Sequence, residues 1–217
     1  MQLFDLSHTI GPGMPVYPGS PEPVFTSLFS LKEQGFSEQL LSLSSHTGTH
    51  VDLPSHMLCD ARTLDDFGPE HFFGKGLVID TGAPTGSRVT LSSLFPHEKM
   101  IRTCEFLLLC SGWSRYWGKP AYFEGYPVLD AEAAQWLCAF GLKGIGVDMI
   151  SVDAADDTCY PVHKIFLEKG IIVIENLDNL SGLIMRNFIF SCFPLKVAGA
   201  EASPTRAVAI TGEWRPA

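Results

Sequence analysis

Ser45-His46-Thr47-Gly48-Thr49-His50-Val51-Asp52-Leu53-Pro54-Ser55-His56 carries the densest chemistry in the chain. Groups that bind metals or move protons fall at 46, 50, 52 and 56, all of one parity, so an extended backbone would turn them to one side. A straight strand holds His46 and His50 roughly 13 Å apart at about 3.3 Å per residue, too far for two imidazoles to share an ion at about 2.0–2.1 Å. A helix would bring i and i+4 together, but Thr-Gly-Thr-His-Val followed by Pro54 is a poor helix. The remaining solution is a bend at Gly48 that folds His46, His50 and Asp52 around one point. One histidine alone reads as a hydrogen-bonded structural residue. Three of the seven histidines and an aspartate in so short a stretch read as a metal site.

Working outward, Gly11 to Pro23 is rich in proline and glycine, which excludes a regular helix or central strand and suggests an ordered surface loop. Ser37 to Ser45 is strand-like. Gly76 to Asp80, Glu105 to Cys110, Ile171 to Ile174 and Ala207 to Thr211 read as short strands, several buried on both faces. Asp130 caps an expected helix over Ala131 to Phe140, closed by Gly141; a shorter one over Val162 to Lys169 follows Pro161 and stops at Gly170. Strands and helices alternate, so the class is α/β with a mixed sheet and flanking helices. Strand order is not legible at this level.

The whole chain, 1–217, reads as one domain; no repeat or linker divides it. Net charge is −9 and the 15 Lys and Arg are scattered, so no basic stripe points to nucleic acid. No apolar run approaches the ~18 residues that span a bilayer. The start Met1-Gln2-Leu3-Phe4-Asp5 lacks a signal-peptide pattern, which leads to the expectation of a cytoplasmic protein with its six dispersed cysteines reduced.

The pattern H-x-G-T-H-x-D-x-P-x-H resembles the signature of the cyclase family of metal-dependent hydrolases, which includes bacterial kynurenine formamidase and isatin hydrolase. Gly146-Val147-Asp148-Met149-Ile150-Ser151-Val152-Asp153 looks like the family's G-x-D-x-x-S-x-D segment, and Glu175-Asn176-Leu177 like its E-N-L. Ser111-Gly112-Trp113-Ser114, Pro194-Leu195-Lys196 and Ala200-Glu201-Ala202-Ser203-Pro204 also look like family segments. The resemblance implies a swivelling β/β/α-like fold. It implies His46, His50 and Asp52 on one divalent metal, with Asp52 reaching a second that His163 completes and Glu175 touching both. His56 would be the acid–base residue while metal-activated water attacks an amide carbonyl.

The mixed nitrogen and carboxylate donors fit zinc, one or two ions, with manganese as the alternative. Asp148, Ser151 and Asp153 either orient ligand imidazoles or cap a turn. His8, His71 and His97 read as non-ligands, and Cys59 and Cys159 as inert thiols. The implied substrate is a small amide, an aryl formamide or a lactam such as isatin. Tyr17-Pro18-Gly19 stands where the formamidase resembles Trp-Pro-Gly, which makes Tyr17 a candidate substrate-stacking residue. Val16, Tyr17, Val24 and Phe25 should pack on a pocket or a partner. A homodimer or higher homo-oligomer is implied, with no nucleic-acid or membrane partner. Two other classes stay open: a metal-binding protein without turnover, and a cupin-type oxygenase.

Overall fold

The structure is a computed structural model and describes residues 1–212. Its strands are β1 (Gln2–Asp5), β2 (Val24–Phe29), β3 (Glu38–Ser42), β4 (His50–Asp52), β5 (Phe73–Asp80), β6 (Arg88–Val89), β7 (Phe106–Cys110), β8 (Val128–Leu129), β9 (Gly144–Val147), β10 (Ile172–Glu175), β11 (Phe188–Ser191), β12 (Ala202–Pro204) and β13 (Val208–Thr211). Nine of them form one sheet in the order β1-β13-β11-β5-β7-β9-β10-β4-β12. Its centre, β5-β7-β9-β10, is parallel, and every other pairing within this sheet is antiparallel. The chain is therefore α/β with a mixed sheet, as its alternating pattern implies.

The parallel block is apolar on both faces because both are covered. Along β7, Leu107 and Leu109 pack with Ala133, Ala134 and Leu137 of the helix Ala131–Leu137 and with Val162, Phe166 and Leu167 of the helix Pro161–Leu167. Phe106, Leu108 and Cys110 point the other way, into a second core with Leu6, Val51, Ile174 and Phe190. The strand β9 is invisible to a propensity reading because it contains Gly144 and Gly146. The second glycine is a packing requirement: a Cβ there would lie 2.5 Å from Leu108 Cδ2 and Leu177 Cδ1.

Both expected helices form, the second one shifted: it takes in Pro161 and ends at Leu167, with 168–170 in a turn. The Asp130 side chain accepts from the Glu132 amide, and Gly141 and Gly170 adopt φ of +68° and +70° just past their helices. The first helix tightens to a 3₁₀ turn over Cys138–Phe140. The Pro- and Gly-rich stretch from 11 to 23 is irregular, as its composition requires. From it rises an isolated ribbon, β2 paired with β3, inserted between that loop and His46. All six cysteines are free thiols. Among the described residues no helix is long and apolar enough to cross a membrane.

Candidate metal centre

The strand β4 is three residues long and lies between β10 and β12. Its register sets Glu175 opposite His50 and Val173 opposite Asp52. His50, Asp52 and Glu175 thus share one face of neighbouring strands, at the carboxyl end of β10, where ligand sites of parallel sheets gather. The helix Pro161–Leu167 runs back antiparallel to β10, so its first turn stands over that end and brings His163 to Glu175.

The extended-chain reading of 46 to 56 holds only for β4. His46 lies in a turn before it and His56 ends the 3₁₀ turn Pro54–His56 after it. The bend does fall at Gly48, with φ of +67°, a conformation that favours glycine. A Cβ there would press on Met14 Cε at 3.2 Å and Ile10 Cγ1 at 3.3 Å.

The donor atoms converge. His46 Nδ1 is 2.9 Å and His50 Nε2 3.4 Å from Asp52 Oδ1, and His163 Nε2 is 3.7 Å from Asp52 Oδ2. Glu175 offers Oε2 at 3.6 Å from His50 Nε2 and Oε1 at 3.2 Å from His163 Nε2. Ligands about 2.0–2.2 Å from a shared ion stand roughly 3.0–3.5 Å from one another, which is this spacing. Each carboxylate turns one oxygen to His50 and the other to His163, the arrangement of two adjacent donor sets with Asp52 and Glu175 between them. His46, Asp52 and His56 also fall within 4.8 Å of one another, so the same geometry lets His56 act as a donor.

His50 Nε2 and both oxygens of Asp52 are buried, with no hydrogen-bond partner among the described residues. A buried polar atom without a partner costs about 1–3 kcal/mol, more when charged. The donor atoms of His50, Asp52 and Glu175 all lie within 4.8 Å of one another, and the donor set fits a divalent cation.

The opposite nitrogens of two rings are fixed. His50 Nδ1 donates to the Gly48 carbonyl at 2.8 Å, and Asn176 Nδ2 donates to the same carbonyl at 3.0 Å. His163 Nδ1 donates to Asp153 Oδ2 at 2.7 Å, and Asp153 also accepts the amides of Val162 and His163. Asp153 therefore orients an imidazole. Asp148 instead accepts from Ser111 and Trp113, and Ser151 Oγ accepts the Asp153 amide, both supporting loops.

Burial depresses the His50 imidazole, but Asp52 and Glu175 outweigh it and hold its pKa at about 9. For Asp52, burial opposes ionisation, and the surrounding imidazoles overcome it, holding the carboxyl well below its usual range. His56 moves the other way: burial lowers it, and His46 and His163 add to that against Asp52 and Glu175. Its ring centroid is 4.3 Å from that of His46.

A cavity of about 340 Å³ opens over the cluster, walled by Val16, Tyr17, Met57, Ile150 and Tyr160, with His46, His50, His56, His163 and Glu175 among its lining. Tyr17 and Val16 thus reach a pocket. Val24 does not; it is 55% exposed on the ribbon. Tyr160, with φ of +49°, has no sequence signal of its own, because Pro161 after it reads only as a helix start. His8 stacks on Trp117, and neither His71 nor His97 approaches the cluster.

Fold and site define an α/β protein with a carboxylate–imidazole centre at the floor of a cavity. A family model described as putative cyclase matches residues 4–154. Kynurenine formamidase of Salinibacter ruber is 29% identical over 96% of this chain and 97% of its own length. Isatin hydrolase A from Ralstonia solanacearum superimposes with a TM-score of 0.86 at 25% identity, covering 97% of this chain and 92% of that one. A structure described as a potential metal-dependent hydrolase with cyclase activity gives 0.82 at 25%, over 98% of each chain. The chain belongs to the putative cyclase family, and these named relatives are hydrolases.

Because a ligating imidazole must be neutral and His50 holds its proton up to about 9, loading a divalent ion displaces protons. Apparent affinity should therefore rise with pH towards 9 and fall as pH drops. Calorimetric titration with Zn²⁺ in buffers of different ionisation enthalpy checks this; heats independent of the buffer would contradict it. Asp52→Ala should abolish binding.

Proposed function

We propose that the chain is a metal-dependent amidohydrolase that cleaves the C–N bond of a small aromatic formamide, as a kynurenine-formamidase-like arylformamidase. The observation that carries this reading is the convergence of His46, His50, Asp52, His163 and Glu175 at the floor of the cavity, with His56 beside them. These five residues would hold one or two divalent ions, zinc or manganese. When bound, the metal supplies a Lewis acid that polarises the substrate carbonyl and makes water acidic near neutral pH.

The chain's own residues do the rest. His56, largely buried and lowered in pKa, is neutral at pH 7 and accepts the proton of the attacking water. It then gives that proton to the leaving nitrogen, so hydroxyl ends on the carbonyl carbon and hydrogen on the amine. Tyr17, Met57, Ile150 and Tyr160 form an apolar wall against which an aromatic ring packs with water excluded. A lactam such as isatin fits the same chemistry by ring opening, and the likeness to isatin hydrolase A at 25% identity supports it as a second reading.

The protein acts as a homodimer in this reading, in the cytoplasm. The β2–β3 ribbon supports the pairing: Val24, Leu40 and Leu41 are 55%, 56% and 53% exposed, and apolar side chains lie on both its faces. A two-stranded ribbon is marginal in water unless covered, and an isologous contact with a second copy covers it.

Elemental analysis of the purified protein, followed by assays on aryl formamides and lactams, tests the reading; no bound divalent metal, or no hydrolysis of either class, would refute it. His56→Ala should retain its metal and lose at least a hundredfold in kcat, within the range removal of an acid–base group costs. Metal lost in that variant would make His56 a ligand. Tyr17→Ala should raise KM for an aromatic substrate several-fold with metal content and folding unchanged. Light scattering should report a dimer at micromolar concentration and a monomer for the Leu40→Glu, Leu41→Glu double variant.

A further inference from the structure

His46 differs from the other two imidazoles of the cluster. His50 and His163 are buried on a strand and a helix, with side chains 3% and 4% exposed. His46 sits in a turn at the foot of the ribbon, with its side chain 23% exposed. Burial does not fix its ring, yet Nδ1 faces Asp52 as directly as any donor of the set. Something must hold the ring from the other side.

That group is a carboxylate from the far end of the chain. Glu201 Oε1 lies 3.5 Å from His46 Nε2, and the same oxygen accepts a 2.6 Å hydrogen bond from Ser45 Oγ. Its backbone is pinned beside the ligand strand. The Leu53 amide donates to the Glu201 carbonyl at 2.8 Å, and the next residue, Ala202, pairs with Asp52 in the β12–β4 ladder. The residue preceding His46 and the strand flanking Asp52 are thereby tied through one carboxylate.

Resting on the metal-centre reading above, we propose that Glu201 is a positioning residue. Braced by Ser45, it holds the His46 imidazole with Nδ1 presented to the ion and the Nε2–H directed at its carboxylate. The logic is that of the two neighbouring rings. The Gly48 carbonyl takes the second nitrogen of His50 and Asp153 that of His163; Glu201 completes the set for the one imidazole whose element does not orient it. A ligating imidazole carries its proton on the non-ligating nitrogen, and a carboxylate there fixes the tautomer and strengthens the ligand.

The test measures Zn²⁺ affinity by chelator competition, and the absorption spectrum of the Co²⁺-loaded protein, for wild type, Glu201→Ala, Glu201→Gln and Ser45→Ala. Glu201→Ala should lose roughly 10–100-fold in affinity and shift the Co²⁺ bands, with the metal-free thermal midpoint little changed. Glu201→Gln, whose amide oxygen still accepts from Nε2–H, should recover much of the loss, and Ser45→Ala should show a smaller one. Wild-type affinity and spectrum in a folded Glu201→Ala protein would overturn the proposal. Should that variant not fold, Ser45→Ala decides, and wild-type affinity there overturns it too. A wild-type protein that binds neither ion refutes the metal centre itself, whereas an unaltered Glu201→Ala alongside a metal-binding wild type refutes only the role of Glu201.

Discussion

Asp52 is wholly buried, and its two oxygens face three imidazoles without a hydrogen bond from any described residue. A carboxylate removed from water is tolerated only beside positive charge. In the chain itself, that charge is a proton held on His50 and His163: burial lowers both imidazoles, but Asp52 and Glu175 raise His50, and Asp153, Asp52 and Glu175 raise His163. A divalent cation is the other source of positive charge that this donor set fits, taking up the nitrogen lone pairs that the protons would otherwise hold. The rest of the architecture serves this one carboxylate. Its strand is only three residues long and would not persist alone; β10 and β12 hold it from both sides.

The parallel centre of the sheet explains where the other donors come from. A parallel strand ends at the same edge as its neighbours and hands the chain to a loop there. β9 delivers the segment that ends in Asp153, and β10 delivers Glu175. The helix between them returns His163 to the same edge, already tethered to Asp153. Residues from 46 to 201 therefore meet at a few ångströms because the topology brings one edge together, and each ring's second nitrogen has a partner that arrives with it.

How much of this was legible in the sequence depends on whether the signal was local. The cluster 46 to 56 is visible because groups able to bind a metal or move a proton are close in the chain, and Gly48 betrays the bend because few other residues take its backbone conformation. Strands rich in branched residues, such as Phe106–Cys110, announce themselves. β9 does not, since its glycines are demanded by Leu108 and Leu177, side chains far away in sequence. Strand order, the insertion of β4 beside β10, and the closeness of Glu201 to His46 are products of long-range pairing. Motif resemblance marked His163 and Glu175, but no spacing rule could derive them. Tyr160 escaped because its value lies in where the cavity happens to open.

The order of elements along the chain has a mechanical consequence for the site. Loop 11 to 23 supplies Val16 and Tyr17 to the cavity wall, the ribbon follows at once, and the chain then returns directly to Ser45 and His46. Both roots of the ribbon are therefore parts of the site, one on the cavity wall and one in the imidazole–carboxylate cluster. The ribbon buries neither of its faces. His46, the most exposed of the three imidazoles around Asp52, is the one at a root, while His50 and His163 sit in the rigid sheet and helix. The centre thus has one half on the core's strand and helix and one half in a turn joined to an exposed ribbon.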